Sequence, residues 1–138
     1  MKHCPDCGIK ICSTSTRCMK CFNKKYNYCS KHISCSTISS WKRSAKHRKL
    51  NWKLNNQDLD EIFERQNGLC AISGQPLTPK RNDRNKISLD RIDPLKHYSK
   101  DNIQFVTSQV NYVKYELNTK DFIALITKIY TYNLGRIK

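Results

Sequence analysis

Ile87-Ser-Leu-Asp-Arg-Ile-Asp93, closely followed by Asp101-Asn-Ile-Gln-Phe-Val106, is the most informative stretch of this chain. In the first segment Ile87 and Leu89 alternate with Ser88 and Asp90, the period-two pattern of a short half-buried strand; Ile103 and Phe105 repeat it in the second. The first strand therefore ends on Asp90 and Arg91, and the loop from Asp93 to Asp101 joins it to the second. Downstream, Thr107 or Ser108 is placed to cap a helix with Val110, Val113 and Leu117 on one side. Asn118 or Thr119 is placed to cap another, carrying Phe122, Leu125, Ile126 and Ile129, and Gly135 stops it. Upstream, Asn56 is placed to cap a helix over about 57–66 in which Leu59, Ile62, Phe63 and Gln66 recur at helical spacing, until Gly68 ends the run. A turn-rich piece over 70–77 and a polar loop over 78–86 lead into the first strand. The order helix, loop, strand, strand, helix, helix belongs to the α+β class.

Ahead of this unit the composition changes. Seven of the eight cysteines fall within residues 4–35. Cys4-Pro-Asp-Cys7-Gly8 and Cys18-Met-Lys-Cys21 are two CxxC knuckles, and each such turn sets two thiolates on one side of an ion. Four thiolates close a tetrahedral zinc site with no position left for water, so the expectation is a structural zinc held in a zinc ribbon. Cys29, His32 and Cys35, with Cys12 as fourth, could supply a second zinc set, but read more simply as buried or exposed thiols beside an ordinary histidine; the spacing leaves this open. The chain starts Met-Lys-His-Cys without an apolar run, and no stretch is long and apolar enough to span a bilayer. The expectation is a chain without signal peptide or membrane span, in a reducing cytoplasm where cysteines bind metal.

The charge is as uneven as the cysteines. The net charge is +15, of which residues 1–55 carry +12 and residues 56–138 carry +3. So much charge on a small body favours a polyanionic partner, because neutralising phosphates releases condensed counterions. An anionic membrane surface fits less well, since no basic stretch carries an amphipathic apolar stripe. The Ser-rich piece over 34–40 and the basic run from Trp41 to Lys53 place a boundary at 36–55, between a ribbon at 1–35 and a domain at 56–138. Lys42, Arg43, Lys46, Arg48, Lys49 and Lys53 suit phosphate contacts there, or simply solvate a linker; Trp41 and Trp52 either stack on bases or fill a small core.

Residues 68–122 resemble the HNH endonucleases, in particular a phage and bacterial branch. The resemblance rests on Gly68-Leu-Cys-Ala-Ile-Ser-Gly74, Ile87-Ser-Leu-Asp-Arg-Ile-Asp93, Tyr98, Asp101-Asn-Ile-Gln-Phe-Val106, Asn111 with Lys114, and Asp121-Phe122. It implies a small ββα-metal core with flanking helices behind the ribbon, acting on double-stranded DNA with its helix along the minor groove. It also implies one divalent cation, Mg2+ or Mn2+, held by Asp90 and Asn111, with Asn102 bracing the loop between the strands. A hard cation that keeps most of its waters needs few protein oxygens, so one carboxylate and one amide suffice. A nicking or homing role suits a small basic protein of this kind; whether it works as monomer or homodimer is left open.

Two positions depart from the family pattern. Arg91 stands where the family places a histidine base, and a guanidinium stays protonated, so it suits clamping a phosphate instead. The base then falls to His97, Asp93 or water polarised by the metal. The family's second pair of CxxC knuckles reads Cys70-x-x-Ser73 and Thr107-x-x-Val110 here, so the core has to rely on Ile62, Phe63, Leu89, Ile103, Phe105, Val110, Leu117, Phe122 and Ile126, with Cys70 a buried thiol. The rival to an endonuclease is an HNH-fold DNA-binding protein with weak or lost catalysis; an RNA-binding zinc-ribbon protein is a third reading.

Overall fold

The computed structural model describes residues 2–5, 7, 8, 10, 11 and 30–136. Their elements are β1 (Lys2–His3), β2 (Lys10–Ile11), α1 (Cys35–His47), α2 (Asn56–Arg65), β3 (Ile87–Arg91), β4 (Ile103–Thr107), α3 (Ser108–Lys114) and α4 (Thr119–Asn133). β3 and β4 pair antiparallel, with Leu89 opposite Phe105 and Asp90 opposite Gln104. Because side chains alternate across a strand, Ile87, Leu89, Ile103 and Phe105 enter one apolar cluster while Ser88 and Asp90 meet α3 on the other side. Thr107 ends β4 and caps α3, its hydroxyl accepting from the Val110 N–H at 3.2 Å.

Residues 36–55, which composition reads as a linker, are instead part of this core. Ser34 caps α1 by accepting from the Thr37 N–H, and Ile38 and Ala45 are buried. Together with Ile33 and Leu54 they join Leu59, Ile62, Leu89 and Phe105 in one cluster. Trp41 and Trp52 pack there as well: Trp41 lies 6.0 Å from the Phe105 ring and Trp52 5.4 Å from the Tyr98 ring, and the Trp52 indole N–H donates to Leu54 O at 2.9 Å. Their indoles are thus occupied within the protein. The Lys and Arg residues of the run all lie on the outer face, exposed. Amphipathic spacing explains this, since Ile38, Trp41 and Ala45 recur along one helical stripe.

α2 is capped by Asn55, one residue ahead of the expected Asn56, in a capping box with Asp58. Lys31 N donates to Asp60 Oδ1 at 2.8 Å and the His32 ring stacks on Phe63 at 4.5 Å, which fixes residues 30–33 against α2. Past the end of α2, the Gln66 side chain acts as an additional rung of the sheet. Its Oε1 accepts from Phe105 N at 2.9 Å and its Nε2 donates to Phe105 O at 2.8 Å. Phe105 is fully buried, so Gln66→Ala strands a backbone N–H that water cannot reach. The expected result is a loss of about 1–3 kcal/mol of stability in urea unfolding.

The turn at 70–74 has the shape of a metal knuckle. Gly8 N donates to Cys4 O at 2.9 Å with Gly8 at φ +73°, and Gly74 N donates to Cys70 O at 2.9 Å with Gly74 at φ +69°. Both turns need a left-handed residue, which glycine supplies without steric cost. In the second, Ser73 replaces the partner thiol, and its N–H points at Cys70 Sγ at 3.4 Å. Burial raises the pKa of the Cys70 thiol, but the hydrogen bonds from Ser73 and the Ile72 and Thr107 backbones lower it further and leave it below its ordinary value.

α3 and α4 differ from the expected core. Val113 is 56% and Leu117 37% exposed, because the buried positions of α3 belong to Lys114 and, in part, Asn111. α4 is anchored by Phe122, the buried residue of that helix, while Ile126 and Ile129 remain 41% and 51% exposed. A periodic pattern identifies an apolar stripe without identifying what covers it. No helix among the described residues is long and apolar enough to cross a membrane.

Candidate metal and phosphate site

The register of the hairpin sets Asp90 near the end of β3, 5% exposed, with both carboxylate oxygens engaged. Lys114 Nζ, fully buried, approaches Oδ1 at 3.1 Å and also donates to Arg91 O at 2.9 Å. Gln104 Nε2 donates to Oδ2 at 2.8 Å and to Thr119 Oγ1 at 2.9 Å. A carboxylate offers about four lone-pair positions, so two such donors orient Asp90 and still leave acceptor capacity toward solvent. Neither Lys114 nor Gln104 stands out as a site residue in the sequence. Gln104 is recoverable only from strand register, and Lys114 from its spacing to Asn111.

Asn111 reaches the same place from the middle of α3. Its Nδ2 donates to Ser88 Oγ at 2.7 Å, which turns the amide so that Oδ1 is left for another partner. Ser88 lies two residues before Asp90 on the same strand face, so strand parity alone would have singled it out as a positioning residue. Asp90, Asn111 and Arg91 line one cavity of about 50 Å3 together with Arg48, Tyr98 and Tyr115. No group of three or more His, Cys, Asp or Glu residues occurs among the described residues. One carboxylate and one amide oxygen beside an open cavity match a hard, largely hydrated cation, and these two residues fit Mg2+ or Mn2+.

Arg91 is fixed before any ligand arrives. It donates to Pro94 O and, at 2.9 Å, to Lys96 O, and its guanidinium sits 5.4 Å over the Tyr98 ring. With five N–H groups on the fork, others remain for an anionic oxygen in the cavity. A second guanidinium comes from Arg48, the residue capping α1, which also hydrogen-bonds Ser44 Oγ at 2.8 Å. Composition groups Arg48 with the other basic residues; the structure separates it from them by setting it on the lining of the cavity that Asp90 also lines.

Asn102 lies beneath the loop between the strands. Its Oδ1 accepts from Asp93 N at 3.0 Å, and its Nδ2 donates to Asp93 O and His97 O, both at 3.0 Å. His97 is not among the residues that line the cavity. Its Nδ1 accepts from Asn51 N at 3.1 Å, so a neutral ring carries its proton on Nε2 and has no lone pair left to take another. Asp93 likewise faces its own loop, accepting from Leu95 N at 3.0 Å.

Of the zinc ligands expected from the sequence, Cys4 is buried and Cys7 exposed on the turn between β1 and β2, whereas Cys18 and Cys21 lie outside the described residues. In the second cysteine set, Cys12 and Cys29 also lie outside them, His32 faces Glu64 at 3.3 Å and Cys35 is disulfide-bonded. The Glu64 carboxyl is held below its usual range by the hydrogen bond from His32 and by the Lys31 charge.

No protein-family model and no curated protein matches the chain. Among solved structures, the fold is similar to that of PacI, described as a rare-cutting HNH restriction endonuclease. The TM-score is 0.51 at 16% sequence identity, and the superposition covers 99% of this chain and 98% of the other. At that identity the likeness is one of architecture: the chain has an HNH-like α+β fold, with Asp90 and Asn111 set on its ββα unit.

Proposed function

We propose that the protein is a DNA endonuclease that hydrolyses a phosphodiester bond with one divalent cation at Asp90 and Asn111. The observation that carries this reading is the cavity that gathers Asp90, Asn111 and two guanidinium groups, Arg48 and Arg91, on an HNH-like fold. When bound, the cation supplies charge neutralisation at the phosphate and the leaving oxygen. Asp90 and Asn111 hold it, while Lys114, Gln104 and Ser88 keep those two side chains turned toward the cavity. Arg91 and Arg48 clamp the phosphate oxygens and stabilise charge that builds on them as the bond breaks. The exposed Lys42, Arg43, Lys46, Lys49 and Lys53 attract the duplex, and a zinc at Cys4, Cys7, Cys18 and Cys21 secures the N-terminal ribbon. One single-cation centre serves one strand at a time, so the product is a nick.

Supercoiled plasmid incubated with Mg2+ or Mn2+ is expected to convert to the nicked form, and EDTA is expected to stop it. Binding without conversion under either metal, over plasmids of differing sequence, overturns the catalytic reading in favour of DNA binding alone. Since no described imidazole faces the cavity, His97→Ala is expected to leave the nicking rate within about threefold, far from the ~10²–10⁴ that a positioned base contributes. A loss of a hundredfold or more would show that the ring turns into the site during turnover.

A further inference from the structure

A second, larger cavity lies at the opposite end of α1, with a volume of about 330 Å3. Ser36, Thr37, Ser40 and Trp41 of α1 form one side, and Arg81 and Lys86 the other. No acidic residue lines it, and neither cationic side chain has a hydrogen-bond or ion-pair partner among the described residues. Asp83, the acid closest in sequence, is occupied with the Asn85 N–H at 2.8 Å. The end of α1 is already satisfied by Ser34, so the two cations and the hydroxyl groups define the site. Arg81 is exposed and Lys86 half-buried, so water solvates both, but two cations beside hydroxyl groups in one concavity with no acid make a local positive potential that favours an anion there.

Two elements fix where this cavity stands relative to Asp90. From Lys86 to Asp90 the chain is extended, and at ~3.3 Å per residue the step is about 13 Å. From Thr37 to Arg48 it is mostly helical, and at ~1.5 Å per residue the step is about 16 Å. α1 and β3 therefore run from the cationic cavity to the carboxylate cavity, which Arg48 and Asp90 both line.

We propose that the Arg81–Lys86 cavity is a second phosphate site, which holds the backbone of the bound DNA about 13–16 Å from the bond at Asp90. This rests on the endonuclease reading for its ligand, but it assigns a task to a different part of the surface. The contact fixes register and does not touch the reacting atoms, so it acts on binding rather than on the chemical step.

Binding of a short duplex by the full chain, measured without added Mg2+ or Mn2+ over a range of salt, tests it. Arg81→Gln/Lys86→Gln is expected to weaken binding on the order of tenfold and to make the slope of log K against log salt less negative by about 2. Arg81→Lys/Lys86→Arg keeps both charges and is expected to keep the slope. Each single Gln variant is expected to shift it by about 1, which preserves the test if the double variant does not fold. The nicking rate at saturating DNA is expected to stay at the wild-type value in all of them. An unchanged slope overturns the proposal, most directly if Trp41 fluorescence responds to inorganic phosphate or a mononucleotide, which would make the cavity a site for a free small anion. If no metal supports cleavage but the slope falls as stated, the endonuclease reading fails and the phosphate site stands.

Discussion

Asp90→Asn is expected to slow metal-dependent nicking by at least ~10³-fold per folded molecule, because a cation at the phosphate supplies several kcal/mol of transition-state stabilisation. The substitution removes the negative charge of the protein's pair of proposed cation ligands and leaves two neutral amides. Mg2+ competes poorly for such ligands against its own waters. The buried Lys114 ammonium loses its counter-charge, so a stability loss of up to about 3–5 kcal/mol accompanies the change, softened because an amide keeps the shape of the carboxylate. Its oxygen can still accept from Lys114 Nζ, and a turn of the Gln104 amide presents an acceptor to the new NH2 group. Plasmid nicking followed over time, with far-UV circular dichroism and a duplex-binding curve on the same preparation, separates the two effects. Folded Asp90→Asn that nicks at the wild-type rate would move the cation elsewhere and remove the basis of the proposed function.

The elements that sequence reveals here are those in which period and burial coincide. β3 and β4 are legible because Ile87, Leu89, Ile103 and Phe105 alternate with residues of a different character. The cap at Thr107 and the Asn118 start of α4 follow from local side-chain chemistry. α1 is hidden because its buried stripe is sparse, Ile38, Trp41 and Ala45, and is interleaved with serines and cations that resemble a linker. The contribution of Gln66 is invisible for another reason: a polar side chain that completes a distant strand leaves no local pattern.

The same division runs through the site. Asp90, Asn111 and Asn102 are legible because the motif carries them, and the structure puts the first two on one cavity and the third under the loop. Arg48 is not, since the fold alone brings the end of α1 to the end of β3. His97 is the converse: an imaging of the loop by sequence places an imidazole near the motif, but the Asn51 N–H turns its ring away from the cavity. Nearness along the chain decides little where a loop is braced by an internal asparagine.

Lys114→Ala is expected to cost about 3–5 kcal/mol of stability, because it leaves a buried carboxylate without its counter-charge. Lys114 is 0% and Asp90 5% exposed, so water cannot take over the lost interaction in full. Gln104 alone would remain to hold Asp90. Lys114→Met restores volume but not charge and is expected to remain strongly destabilised, whereas Asp90→Asn/Lys114→Met removes both charges and is expected to recover most of the loss. Urea unfolding of the wild type, Asp90→Asn, Lys114→Met and the double variant completes the cycle. Divalent cation gives a second reading of the same pair. In Lys114→Met the carboxylate has no competing ammonium, so added Mg2+ or Mn2+ is expected to raise the unfolding midpoint more than in the wild type, by mass action on the folded state. The same metal should leave the midpoint of Asp90→Asn/Lys114→Met almost unchanged. If the single and double variants lose equal stability and none responds to metal, Lys114 is only a packing residue and Asp90 does not bind the cation.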